Sequence, residues 1–243
     1  MKIIKLIILL IIILIILSVG ILGYFGFVPV LSTVFGSDKP RDLGIKYTEK
    51  QYLDYVAKSK TEIVALNENV SPQESIIYSG KTDLTQSFTQ EEISARLNYS
   101  KWKYMPVKNV QLKINNDGTV EFSAVVVYER LSGFIAREGA GQYSKADVEK
   151  GLSYIKLIGR DFPVYAKFKA SINNNQLSES TESIEVGRFS IPLEKINANS
   201  VIKSVSENIM RKVSGFYAKT VNFENGKMNF DGSVPERINV ASN

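Results

Sequence analysis

The 243 residues include no cysteine and no histidine. Without cysteine there is no disulfide framework, no thiol nucleophile, no thiolate metal site and no lipid-modified cysteine. Without histidine the commonest general base and the commonest catalytic metal ligand are both missing. Neither sign of charge dominates. The net balance is +5, and removing Lys2 and Lys5 leaves about +3 on the rest of the chain. Lys101, Lys103 and the Arg211-Lys212 pair are too few for a nucleic-acid surface, and no phosphate-binding motif accompanies them. A cysteine-free domain of this size must hold itself together by packing alone, which it is long enough to do.

Long apolar runs are confined to one place. After Lys5 the next charge is Asp38, and the residues between are mostly Leu, Ile, Val, Gly and Phe. A helix over Leu6–Phe27 would be roughly 33 Å long at ~1.5 Å per residue, enough for a hydrocarbon core of ~30 Å. A buried core helix is the bland alternative, but a domain of this size has little room to bury it. A cleaved signal peptide would have an apolar core of only ~7–15 residues and a small-x-small site, and Ser32-Thr33-Val34 and Val34-Phe35-Gly36 fit such a site poorly. The expected organisation is a cytoplasmic tail (1–5), an uncleaved transmembrane anchor (6–27), a juxtamembrane tether (28–47) and an exported domain (48–243). Lys2 and Lys5 flank the anchor on one side, whereas Asp38, Lys39, Arg41 and Asp42 cancel on the other, which keeps the N-terminus in the cytoplasm of a cell-membrane protein. Gly20, Gly23 and Gly26 fall three apart and could form a helix-contact face, although the spacing is not GxxxG.

Beyond the anchor, capping signals mark four short helices. Thr48 with Gln51, Thr89 with Glu92, and Ser144 with Asp147 each follow an aromatic residue, and Asn197 or Asn199 starts a helix running to about Val213. Between them lie hairpins. Residues 110–114 and 120–128 flank Asn115-Asn116-Asp117-Gly118, residues 164–172 and 183–191 flank Asn173-Asn174-Asn175, and residues 217–223 and 227–231 flank Glu224-Asn225-Gly226. Gly187 is expected at a bulge between Val186 and Phe189. Together these predict an α+β fold, an antiparallel twisted sheet of hairpins packed with about four short helices.

Catalytic patterns are weak. Ser-x-x-Lys occurs at Ser100/Lys103, Ser153/Lys156 and Ser200/Lys203, close to the number chance gives, and the companion motifs of serine acyl-enzymes are absent. Glu91 and Glu92 begin a helix, where negative charge suits the dipole; Glu49, Asp54, Glu149 and Asp161 are scattered among lysines. No enzyme, metal or cofactor is expected. Gly133, Gly139 and Gly141 form a flexible loop with Phe134, either an ordinary surface loop or a lip over a groove. Trp102, near Tyr99 and Tyr104, is either a ligand-surface aromatic or a cover on the core. Strand 120–128 has a partly apolar second face through Val125 and Val127.

VYAKFKASINNNQLSESTESIEVGRFSIPLEKI (164–196) resembles the bacterial YpmS-like membrane-anchored proteins. Its alternating strand, Asn turn and second strand end in Val186-Gly187-Arg188-Phe189-Ser190-Ile191-Pro192, similar to that family's ending. FTQEEISARLN (88–98) is similar to their helix start through Thr89, Ile93, Leu97 and Asn98. This chain lacks their turn glycine at 173–175 and adds the helix near 48–58. The resemblance implies a TULIP-like lipid-binding fold with an apolar groove, and it carries over no catalytic residue. The expectation is a non-catalytic cell-envelope domain that binds a lipid or amphiphile, with Val125, Val127, Trp102 and Phe134 as groove candidates. The alternative is a scaffolding domain that recruits an envelope protein.

Overall fold

A computed structural model describes residues 2–66, 70–139, 160–196 and 198–242, and the chain is an α+β protein built on a curled antiparallel sheet. Its longest strand, β6 (Phe162–Asn173), forms a hairpin with β7 (Gln176–Val186). Asn174 and Asn175 make the turn with φ of 50° and 61°. A two-residue hairpin of this kind needs left-handed backbone at both positions, and asparagine reaches it at low cost, so no glycine is required. The opposite edge of β6 pairs first with β5 (Thr119–Val126) and, past the end of β5, with β9 (Tyr217–Glu224) through Ile172 and Asn173. β5 continues to β4 (Val107–Ile114), and β9 continues through β10 (Lys227–Val234) to β3 (Thr82–Thr89). One long strand thus carries a hairpin near its start and a three-stranded leaf near its end.

The three expected hairpins are present, although the second returns through Gln176–Val186 and not through 183–191, and two of the capping boxes are present too. Thr48 N–H donates to Gln51 Oε1 at 2.8 Å at the start of α3 (Glu49–Ser59). At the start of α4 (Gln90–Asn98), Thr89 N–H donates to Glu92 Oε2 at 2.9 Å, and Glu92 N–H returns a bond to Thr89 Oγ1 at 3.2 Å. Tyr47 and Tyr52 both pack on Tyr99, with ring centroids 6.4 and 5.7 Å away. Asn98 pins α4 to the sheet, donating to Val110 O at 2.8 Å while accepting from Val110 N–H at 2.9 Å. The last long helix, Ala198–Lys212, includes Asn199. The helix expected after Ser144 and the cap at Asn197 lie outside the described residues.

Other elements depart from expectation. The strand read through Tyr128 stops at Val126, and the supposed loop around Gly133 and Phe134 is a helix, α5 (Tyr128–Glu138). Asp161 Oδ1 accepts Tyr128 N–H at 3.0 Å and so caps it. Gly133 allows close packing, since a Cβ there would lie 2.1 Å from Tyr104 Cδ1. Gly187 is not at a bulge. With Arg188 it makes a tight turn into β8 (Phe189–Ser190), pairing Val186 with Phe189, and the register shift falls instead between Lys167 and Phe168. A small second sheet was not foreseen: β1 (Glu62–Leu66) runs parallel to β11 (Arg237–Ala241), which pairs antiparallel with β2 (Ile76–Ser79).

The N-terminal helix α1 runs Lys2–Tyr24, ends three residues earlier than expected, and is followed by α2 (Pro29–Phe35). From Leu9 to Leu22 every large apolar side chain is exposed, on all sides of the helix. The side chains of Lys2 and Lys5 lie outside the described ones. Among the described residues no single helix is long and apolar enough to cross a membrane; Leu9–Tyr24 and Pro29–Phe35, bent by 65°, are so together. A Cβ at Gly20 would meet no described neighbour, whereas one at Gly23 would strike Leu31 of α2. Residues 41–45 lie along the sheet. Arg41 forms a two-pronged ion pair with Glu185 at 2.8 and 2.9 Å and stacks 3.7 Å over Tyr165, and Gln111 Oε1 accepts Leu43 N–H at 2.8 Å.

Candidate ligand cleft

Strand alternation gives the leaf β3-β10-β9 one apolar face and one polar face. Leu84 and Phe88, Met228, Phe230 and Val234, and Val221 and Phe223 share the first. Thr85, Ser87, Thr220, Asn229 and Asp231 line a shallow polar surface on the other side. The apolar face is roofed by α3, α4 and the small sheet, and between them lies a cleft of about 410 Å³. Its walls include Tyr55, Ile63, Tyr78, Arg96 and Ile238 from the roof. That volume falls within the ~300–1,000 Å³ of small-molecule sites, and an apolar lining with a few convergent polar groups is their usual composition. The two roof helices are tied by Lys58, whose Nζ lies 2.6 Å from Glu92 Oε1.

The polar groups in the cleft divide into two kinds. Ser59 donates to Val56 O at 2.9 Å and Thr61 to Pro235 O at 2.8 Å, so both hydroxyls are satisfied locally. Arg96 is half-buried and has no hydrogen-bond or ion-pair partner among the described residues, and neither the Tyr55 nor the Tyr78 hydroxyl has a hydrogen-bond partner there. Burial pushes the Tyr78 hydroxyl up to about 12, helped by the charge of Glu138, while Arg137 and Arg96 pull it back. Burial likewise raises Tyr55, against the pull of Arg96. A guanidinium and two neutral phenol donors therefore share one apolar cleft, a set suited to a single anionic head group attached to an apolar body.

The residues singled out from sequence are elsewhere. Val125 is buried within β5, and Val127 caps α5 with its N–H on Pro106 O at 2.8 Å. Trp102 and Phe134 do come together, ring centroids 5.9 Å apart. Trp102 is 7% exposed and its Nε1–H donates to Ser75 Oγ at 3.0 Å, which makes it a cover on the core under α5. None of the four lines the cleft. The Ser100/Lys103 pair is turned to other uses: Ser100 Oγ accepts Trp102 N–H at 3.4 Å, and Lys103 Nζ lies 5.0 Å over the Tyr104 ring. Among the described residues no group of three acidic side chains is placed to hold a metal ion.

Sequence reasoning missed the cleft because its lining comes from many elements that only the fold assembles. One signal was there. Arg96 sits three residues after Ile93 and four after Glu92 on the face of α4 that turns inward, a charge where an apolar stripe continues. No family model matches the chain, and no characterised protein or solved structure matches it either.

Proposed function

We propose that this protein is a membrane-anchored, non-catalytic binding domain that holds an anionic amphiphile in the cleft between the leaf β3-β10-β9 and its helical roof. The apolar chain lies against Leu84, Phe88, Phe223 and Met228, and the acidic head meets Arg96 and the Tyr78 hydroxyl. The observation that carries this reading is Arg96, which stands in an apolar cleft with no hydrogen-bond or ion-pair partner among the described residues. A guanidinium facing apolar walls loses part of its hydration, and an acidic ligand would supply the partner it lacks.

Anchoring rests on α1, whose exposed Leu and Ile side chains would be costly in water and cost nothing in a bilayer. The lysines at its start place the N-terminus in the cytoplasm and the domain outside. The likeness of residues 164–196 to YpmS-like proteins, and through them to TULIP-like lipid-binding folds, points the same way. To test the binding, the full chain in nanodiscs is titrated with a fluorescent long-chain carboxylate against chain-free nanodiscs. Saturable binding in excess of partitioning is expected, and Val234→Phe, which narrows the cleft, weakens it. Binding that never exceeds chain-free nanodiscs contradicts the proposal.

A further inference from the structure

The junction between α1 and the domain is folded inside out. On α2, Val30 and Val34 stand four residues apart and are 76% and 75% exposed, whereas Ser32 between them is fully buried. In water both choices are unfavourable, since apolar branches stay solvated and a hydroxyl is desolvated. The hydroxyls on the buried side are nonetheless hydrogen-bonded. Ser32 Oγ donates to Val28 O at 2.7 Å, Ser37 Oγ to Gly23 O at 2.9 Å, and Arg160 Nη2 to Gly26 O at 2.8 Å. Leu31 presses on Gly23, where a Cβ would come 2.3 Å from the Leu31 Cβ.

The domain grips this knot through the β7–β8 turn. Phe189 meets Phe25 and Phe27 edge-on at 5.7 and 6.1 Å. Arg188 donates to Phe35 O at 2.6 Å and lies 4.9 Å over the Tyr24 ring. Gly187, at φ +62°, lets the turn approach so closely that a Cβ would lie 2.6 Å from Phe25 O. Aromatic rings with a basic group beside them, at the end of an apolar helix, are the composition of a membrane–water interface.

We propose that α2 and the Gly187–Arg188 turn form a foot embedded in the head-group layer of the bilayer, with Phe27, Val30, Val34 and Phe189 in lipid. This rests on the reading of α1 as a spanning helix, with which the foot's apolar surface is continuous. The 65° bend sets α2 closer to the bilayer plane than to its normal when α1 stands upright. A lipid surface explains both halves of the inverted helix: it takes the valines and leaves Ser32 and its carbonyl partners on the protein side. The foot fixes the domain's orientation, and the cleft, nine residues along β6 from Pro163 to Ile172, sits about 30 Å away at ~3.3 Å per residue.

The absence of native cysteine makes the test direct. Ile16→Cys, Val34→Cys and Lys227→Cys are each labelled with an environment-sensitive fluorophore in the full chain, reconstituted into phosphatidylcholine–phosphatidylglycerol vesicles. Brominated lipids then quench probes in contact with acyl chains. The foot predicts severalfold stronger quenching at Val34 than at Lys227, greatest for bromines near the ester end, with Ile16 quenched by bromines deep in the chain. A quenched Ile16 beside a Val34 probe as aqueous as Lys227 overturns the foot and leaves the anchor standing. An unquenched Ile16 overturns the anchor, and the foot with it.

Discussion

Replacing Arg96 with methionine separates recognition of the head group from burial of the chain. Methionine is about as long as the aliphatic stem of arginine, so the apolar contacts of that stem within the cleft are largely kept. What is lost is the charged fork. A hydrogen bond to a charged group contributes roughly 1.5–3 kcal/mol, so a long-chain carboxylate should bind about ten- to a hundredfold more weakly to Arg96→Met. The primary alcohol of the same chain length should bind both proteins alike, because it offers no charge. Stability of the free protein should not fall, since Arg96 makes no hydrogen bond or ion pair among the described residues that the change could break. Competition titration of a fluorescent carboxylate in nanodiscs measures the affinities, and thermal unfolding measures the stability. Equal weakening for acid and alcohol would show that the arginine acts through packing alone, and no weakening of either would refute its role.

Three other substitutions extend the account. Val234→Phe should leave stability within about 0.5 kcal/mol, because the cleft has room, whereas overpacking a dense core costs ~1–3 kcal/mol; urea unfolding decides. Trp102→Phe should destabilise by about 1–3 kcal/mol, by removing ring area and the bond that buried Ser75 Oγ accepts while its donation to Pro72 O at 2.6 Å remains, yet leave ligand affinity unchanged; altered affinity with intact folding would return Trp102 to the site. Glu138 is held above the ordinary carboxylate range by burial, against the pull of Arg137 and Lys212. A raised folded pKa means the native state binds the proton more tightly, so this group's contribution falls as pH rises above its unfolded value of ~4.3. Glu138→Gln should therefore gain stability over the parent at neutral pH, with the gap closing below about pH 4; a gap independent of pH contradicts the assignment.

How far the sequence could be read depends on how local each signal is. Asn174-Asn175 and Asn225-Gly226 have left-handed φ at both turn residues, and each announces its hairpin within a few residues. The Thr89–Glu92 box is equally local. The small sheet is not: β1 and β11 pair in parallel across 175 positions, from Glu62 to Arg237, and strands of four or five residues leave little periodicity to detect. Helix α5 was hidden by Gly133, which reads as a breaker but serves to admit Tyr104. On β5, Val125 looked like a second apolar face awaiting a ligand, and the structure buries it. Groove residues had to be sought on one strand from sequence, whereas the cleft gathers residues from helices, turns and strands of both sheets.

The central claim is that an acyl chain occupies the cleft in the intact, membrane-bound protein. A long-chain carboxylate bearing a photoactivatable diazirine, added to the full chain in nanodiscs and mapped by peptide mass spectrometry, tests it directly. The account predicts saturable labelling at Tyr55, Phe223 or Met228, removed by excess unlabelled carboxylate and reduced by Val234→Phe. Labelling confined to α1 and α2, and insensitive to competitor, would contradict it.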